Sequence, residues 1–296
     1  MFYNKESDFE DDLVAVLKRH GWTDGVLEYP TEQDLISNWA NILFDNNKGI
    51  DRLNGQRLTK GEMAQILEQI ETLRTPLALN SFINGKTVSI KRDNPKDEAH
   101  FGKEISLKIY DRQEIAAGQS RYQIARQPMY PAKNKMLNDR RGDVCLLING
   151  MPVIHIELKK SGIPISQATN QIAKYAHEGV FTGLFRLVQV FVAMNPDDAV
   201  YFANPGEGDF NSNYFFHWAD FNNEPIAANK HVGQDEWKRF ASDLLSIPMA
   251  HQLIGFYTVA DSADGCLKVL RSYQYQAVNA ISDRVRTCKW DEPVPS

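Results

Sequence analysis

Residues 142–160 read GDVCLLINGMPVIHIELKK. Two apolar runs, Val144-Cys145-Leu146-Leu147-Ile148 and Val153 to Leu158, flank Asn149-Gly150. An Asn-Gly pair between β-rich runs is a strong hairpin signal, because both residues tolerate the positive φ of a tight turn. Alternate residues of a strand share a face, so Glu157 and Lys159 project together while Ile154, Ile156 and Leu158 face the core. Register decides where Asp143 points. A two-residue loop places it opposite Ile156. A three-residue loop, Asn149-Gly150-Met151, places it opposite Glu157 and gathers Asp143, Glu157 and Lys159 on one face.

Two carboxylates and an ammonium on one face suit phosphodiester hydrolysis with a divalent metal. Mg2+ binds hard oxygens, through one or two carboxylates plus substrate phosphate, and a lysine there can orient water or stabilise the transition state. The alternative for the same residues is a buried hairpin whose exposed acids and lysine form a surface ion pair. Glu157 and Lys159 interrupt a strand that is otherwise apolar, a costly choice if nothing occupies the site. His155 shares their face if the strand is regular; it could contact phosphate there, but it reads as a packing residue outside the catalytic set.

The flanking segments supply further candidates. Asp8 to His20 carries Phe9, Leu13, Val16 and Leu17 at amphipathic-helix spacing, with Ser7 as N-cap and Gly21 as stop. Glu10 borders the apolar edge and can point towards the sheet; Glu6, one turn earlier, is the second choice. After a Ser161-Gly162-Ile163-Pro164 turn, a helix from Ile165 or Ser166 to His177 carries Gln171 and Tyr175 on one face.

Taken in order, Glu10 in FEDDLVAVLKRHGW, Asp143, Glu157-Leu158-Lys159 and Gln171…Tyr175 resemble the PD-(D/E)xK nuclease superfamily. Within it they are similar to the RecB-like branch, and most closely to the amino-terminal region of type I restriction enzyme R (HsdR) subunits. LRSYQYQAV at 270–278 resembles the R-x-Y-Q-x-x-A segment that precedes the helicase motor of those subunits. The resemblance covers the start, middle and end of the chain and is weak between Gly21 and Gly118. One departure stands out: Arg141-Gly142 precedes Asp143 where the family usually has proline before the acid.

The resemblance implies an α/β fold: a mixed central β-sheet flanked by helices, with a restriction-endonuclease-like core, a helical insertion and a C-terminal connector. It implies an endonuclease domain over 1–203 with an insertion at about 22–118, a sheet extension and connector over 204–260, and the truncated start of a helicase-like motor over 261–296. Asp143, Glu157 and Lys159 would be catalytic, with Glu10, Asp143 and Glu157 as ligands of Mg2+ or Mn2+. Gln171, Tyr175, Arg140, Arg141 and Lys160 would contact DNA. Gln274 would lie by the adenine of ATP in the full subunit only. The implied function is a metal-dependent DNA endonuclease domain that cleaves double-stranded DNA, coupled in the full subunit to ATP-driven translocation, with methyltransferase and specificity subunits as partners. Two other readings stay open: a stand-alone RecB-like repair nuclease or junction resolvase, and a catalytically silent docking module of a DNA motor.

Composition sets outer bounds. The chain has 296 residues, 43% hydrophobic and 24% charged, an ordinary globular composition. No apolar run approaches the roughly 20 residues that span a bilayer, and the acidic start MFYNKESDFEDD is unlike a secretory signal. Cys145, Cys266 and Cys288 are scattered and odd in number, which disfavours a disulfide framework. A cytoplasmic protein without membrane contact is expected. The net charge of −5 still allows cations concentrated along one groove. Lys133, Lys135, Arg140 and Arg141 before Asp143, with Lys159 and Lys160 after the second strand, form such a local rim.

Gly85-Lys86-Thr87 is not a phosphate loop, because Asn80 stands where the pattern requires glycine. Without such a loop this chain should bind ATP negligibly by itself. Phe82 to Arg92 reads as a strand pair about Asn84-Gly85, Val188 to Met194 as a central strand, and Val200 to Ala203 as its neighbour. The aromatic run Tyr214 to Trp218 reads as packing a late strand onto the sheet.

Overall fold

The Asn149-Gly150 turn joins the two middle strands of the main sheet in the computed structural model, which describes residues 1–114, 119–131, 140–206, 208, 210–228, 235–261 and 266–288. In chain order α1 (Glu6–Arg19), β1 (Val26–Glu28), α2 (Glu32–Asn47), α3 (Lys60–Thr72), α4 (Pro76–Asn84), β2 (Thr87–Lys91), β3 (Glu104–Lys108) and β4 (Tyr122–Arg126) lead to the hairpin β5 (Val144–Ile148) and β6 (Met151–Leu158). Then come α5 (Ile165–His177), β7 (Val190–Met194), β8 (Ala199–Ala203), α6 (Glu236–Leu244), α7 (Met249–Gly255), β9 (Thr258–Ala260), β10 (Leu267–Val269) and α8 (Ser272–Thr287). Six strands form one mixed sheet in the order β1-β4-β5-β6-β7-β8. The β1–β4 and β6–β7 pairs are parallel and the others antiparallel. Every residue of β5, β6 and β7 is buried, as befits strands covered on both faces.

The hairpin register combines the two expectations. Ile148 pairs with Met151, so Asn149 and Gly150 alone make the loop, both at positive φ (52° and 84°). The register then shifts by one residue, so that Leu147 faces Pro152 and Leu146 faces Ile154. Val153 is the extra residue. The physical cause stands beside it: Pro152 has no N–H to give the ladder, and proline inside a sheet is confined to edges, strand starts and bulges. Beyond the bulge Val144 pairs with Ile156, which brings Asp143, one residue earlier, level with Glu157. A tight turn plus a bulge therefore yields the register of the longer loop. By the same pairing Arg126, Val144 and Ile156 share the other face.

Helices follow their signals. Thr31 and Thr59 head α2 and α3 with reciprocal capping boxes to Asp34 and Glu62. α1 begins at Glu6 behind Lys5, which makes no side-chain cap, so Ser7 lies inside the helix rather than capping it. α5 packs on β6 and β7, and α1 packs on α6 and β6, with Phe9 edge-on to Trp237. The expected strand pair about Asn84-Gly85 is corrected. Thr75 caps a helix with Pro76 in its first turn, a start signal stronger than the Asn-Gly pair that follows, and it buries Leu79 and Ile83. β2 pairs instead with β3 in a separate two-stranded sheet.

The stretch 22–118 thus supplies β1 of the central sheet as well as α2, α3, α4 and the β2–β3 hairpin. Arg92 ties α3 to that hairpin. It is fully buried and donates to Glu62, Asp97 and the Gln56 carbonyl, so its charge is paired as burial demands. Beyond β8, Phe216 bridges to Tyr201 and Phe215 stacks on Phe202 at 4.2 Å, so these aromatics do extend the sheet's packing. The chain ends its described part in α8, anchored by Tyr275 against Trp218 and Tyr257.

Candidate active site

Three side chains meet where β5 begins and β6 ends. Asp143 Oδ2 accepts the Leu158 backbone N–H at 2.7 Å, which draws it beside Glu157. Lys159 Nζ lies 3.4 Å from Glu157 Oε1 and donates to the Leu158 carbonyl at 2.7 Å. Glu157 is fully buried and Lys159 is 8% exposed, so water screens these charges little. Glu157 Oε2 is buried and has no hydrogen-bond partner among the described residues. His155 Nε2 lies 3.3 Å from it, outside hydrogen-bonding geometry.

Electrostatics follow from that crowding. Burial pushes the Glu157 carboxyl up to about 7, against the pull of Lys159 and of a hydrogen bond with Asp143, with Glu6 adding repulsion. Burial and then the Glu157 charge hold Asp143 well above the usual carboxylate range, opposed by the Leu158 N–H, Lys159 and His155. Burial pushes His155 down to about 4, leaving it neutral at ordinary pH. Two carboxyls that resist ionising together, with one buried oxygen unsatisfied, form a donor set suited to a hard divalent cation. Among the described residues no three His, Cys, Asp or Glu side chains converge as a ready cage.

The other expected site residues are placed as follows. Glu10 is buried, and its carboxylate is bonded to Arg126 and Gln127; Arg126 carries it on the Ile156 face and also pairs with Asp11. Glu6 is the first-helix acid near the lysine, with Oε1 3.9 Å from Lys159 Nζ. Gln171 donates to the Tyr175 hydroxyl at 2.7 Å, and Tyr175 donates to the Arg141 carbonyl at 2.8 Å. The pair thereby braces the segment that delivers Asp143. Burial and then the Glu157 and Asp143 charges push Tyr175 up to about 12. Arg140 is engaged in a two-point ion pair with Glu178 at 2.9 Å, Arg141 stands over the Tyr29 ring, and Lys160 is exposed. Lys133 and Lys135 lie outside the described residues. Gln274 is exposed at the start of α8, where its side chain accepts the Arg271 backbone N–H.

Sequence reasoning passed over Tyr130, whose hydroxyl is 2.8 Å from His155 Nδ1, and so treated His155 as packing alone. The available signal was the i−2 position of His155 relative to Glu157. Among the described residues no helix is long and apolar enough to cross a membrane.

Comparison with known proteins places the chain in a family. Residues 5–210 match the family described as type I restriction enzyme R protein N terminus. The chain is 30% identical over 285 residues to the type I restriction enzyme SsaAORF53P endonuclease subunit of Staphylococcus saprophyticus, covering 95% of this chain and 27% of the relative. It is 27% identical over 281 residues to the SauCOLORF180P endonuclease subunit of Staphylococcus aureus (strain COL), with the same coverage of 95% and 27%. It is 28% identical over 282 residues to the EcoprrI endonuclease subunit of Escherichia coli, covering 90% of this chain and 83% of that one. The chain thus spans about 27% of the length of the staphylococcal relatives. With more than half of its residues matched, the chain belongs to the type I restriction enzyme R protein N-terminal family.

Proposed function

We propose that this chain is a metal-dependent DNA endonuclease domain of a type I restriction R subunit, cleaving phosphodiester bonds of double-stranded DNA. The observation that carries the reading is the meeting of Asp143, Glu157 and Lys159 at one end of the sheet. Asp143 and Glu157 would hold Mg2+ or Mn2+, and Glu157 Oε2, buried without a partner, is an oxygen with coordination to spare. A bound divalent ion would activate water and neutralise charge on the scissile phosphate. Lys159 holds its ammonium beside Glu157, ready to orient the attacking water or to stabilise charge on a phosphate oxygen. Gln171 and Tyr175 keep the backbone before Asp143 in place, and Gln171 retains a second amide N–H to donate to DNA. Arg141 and Lys160 leave cationic groups to meet the phosphate backbone. Coupling to ATP-driven translocation, the adenine contact of Gln274, and the methyltransferase and specificity partners belong to this same proposal for the longer protein.

Lys159→Met in the assembled restriction complex tests the reading. Cleavage should fall on the order of 10²–10³-fold, while Mn2+ affinity measured by calorimetry stays within a few-fold, because an ammonium is no metal ligand. Cleavage at the wild-type rate would remove Lys159 from the chemistry and favour a docking module. Tyr175→Phe separates the next layer of the site. It keeps the ring but loses the bond to the Arg141 carbonyl, so cleavage should fall about fivefold, on the scale of one neutral hydrogen bond of roughly 1 kcal/mol, with Mn2+ binding unchanged. A loss of metal affinity as large as that of Asp143→Ala would refute the positioning role.

A further inference from the structure

His155 precedes Glu157 by two residues on the same face of β6 and is fully buried. Its Nδ1 is 2.8 Å from the Tyr130 hydroxyl, and the Tyr130 ring is walled by Tyr175, Phe181 and Phe185. Its Nε2 faces Glu157 Oε2 at 3.3 Å, and each of these two buried atoms is without a hydrogen-bond partner among the described residues. Leaving either atom unsatisfied in a buried site is costly. At that separation a small rotation of either side chain satisfies both. With the Tyr130 O–H donating to Nδ1, the ring proton sits on Nε2 and points at the carboxylate.

Gly142 belongs to the same assembly. A Cβ built on it would collide with the Tyr130 hydroxyl and lie 2.8 Å from His155 Cε1. Any residue with a side chain, proline included, would therefore displace the pair.

We propose that His155 is a positioning residue for Glu157. Locked by Tyr130 and given room by Gly142, it donates Nε2–H to Oε2 and holds the carboxylate with Oε1 towards Lys159. The proposal rests on the metal-site reading of Asp143 and Glu157. Groups that hydrogen-bond a metal ligand in this way typically change metal affinity or activity by about 10–100-fold when removed.

The test is a calorimetric Mn2+ titration of the whole chain, paired with thermal unfolding, for wild type, His155→Leu, His155→Gln, Tyr130→Phe and Glu157→Ala. His155→Leu should weaken Mn2+ binding at least about tenfold. His155→Gln, whose amide nitrogen can stand near the Nε2 position, should recover most of that loss at matched stability. Tyr130→Phe should weaken binding in the same direction by a smaller factor. Wild-type affinity in His155→Leu, or a His155→Gln as weak as His155→Leu at equal stability, would overturn the proposal. If His155→Leu does not fold, Tyr130→Phe decides: a several-fold loss supports the role and wild-type affinity overturns it. Glu157→Ala separates the two levels. Its retaining wild-type Mn2+ affinity would mean that the metal-site reading has failed, whatever His155 does.

Discussion

Glu157→Ala in the assembled complex is expected to cleave DNA about a thousandfold more slowly, with ATP hydrolysis continuing near the wild-type rate. Glu157 is buried at the meeting point of Asp143 and Lys159, so on the proposed reading its loss takes away a metal ligand and the lysine's partner in one step. Metal activation of water and phosphate neutralisation are each worth several kcal/mol, and each 1.36 kcal/mol is tenfold in rate. Asp143→Ala should behave alike. Separate assays of plasmid cleavage and phosphate release check the split. Cleavage by Glu157→Ala at the normal rate would mean that the hairpin is not the active site, and loss of ATP hydrolysis with cleavage would point to general unfolding.

The second large effect is on stability. The folded Glu157 carboxyl titrates near 7 instead of 4.5, so the folded state holds a proton that the unfolded chain gives up. A raised folded value means stability that is present below the unfolded value and is lost as pH rises through the folded one. For Glu157 the window runs from about 4.5 to 7. Asp143, also raised, adds to it. His155 works the other way, because its value is depressed to about 4 and the unfolded chain takes up its proton first, so it offsets part of the slope below about 6.5. Comparison with Glu157→Gln isolates the carboxyl. Without divalent metal, wild type should lose on the order of 2–3 kcal/mol relative to Glu157→Gln between pH 4.5 and 8. Mg2+ at pH 8 should restore wild type and leave Glu157→Gln nearly unchanged. Parallel pH profiles for the two proteins, read by denaturant unfolding, would contradict the buried-carboxyl account.

Much of this was legible in the residues. The Asn149-Gly150 turn, the Gln171–Tyr175 helix face and the central strand at Val190 all follow from short-range periodicity, and each lies where the pattern puts it. The hairpin register was not settled by periodicity, because a bulge leaves both flanking runs apolar. Pro152 was the overlooked signal, a residue that cannot donate inside a buried strand. The α4 helix was hidden by a turn-like Asn84-Gly85 pair, although Thr75-Pro76 announces a helix start. Side-chain meetings across the fold had no local signature. Tyr130 and His155 are 25 residues apart, and the choice of Arg126 and Gln127 as partners of Glu10 depends on how β4 packs against α1. Glu6 and Glu10 sit one turn apart on α1, and only the packed helix decides which of them approaches Lys159.

Anomalous diffraction from crystals soaked in Mn2+ tests the central claim most directly. The account predicts a manganese peak between the Asp143 and Glu157 carboxylates at oxygen distances of about 2.0–2.2 Å, near the range for small divalent ions, and no peak there in Glu157→Ala. Manganese bound elsewhere with none at this pair, or a peak that persists without Glu157, would contradict it.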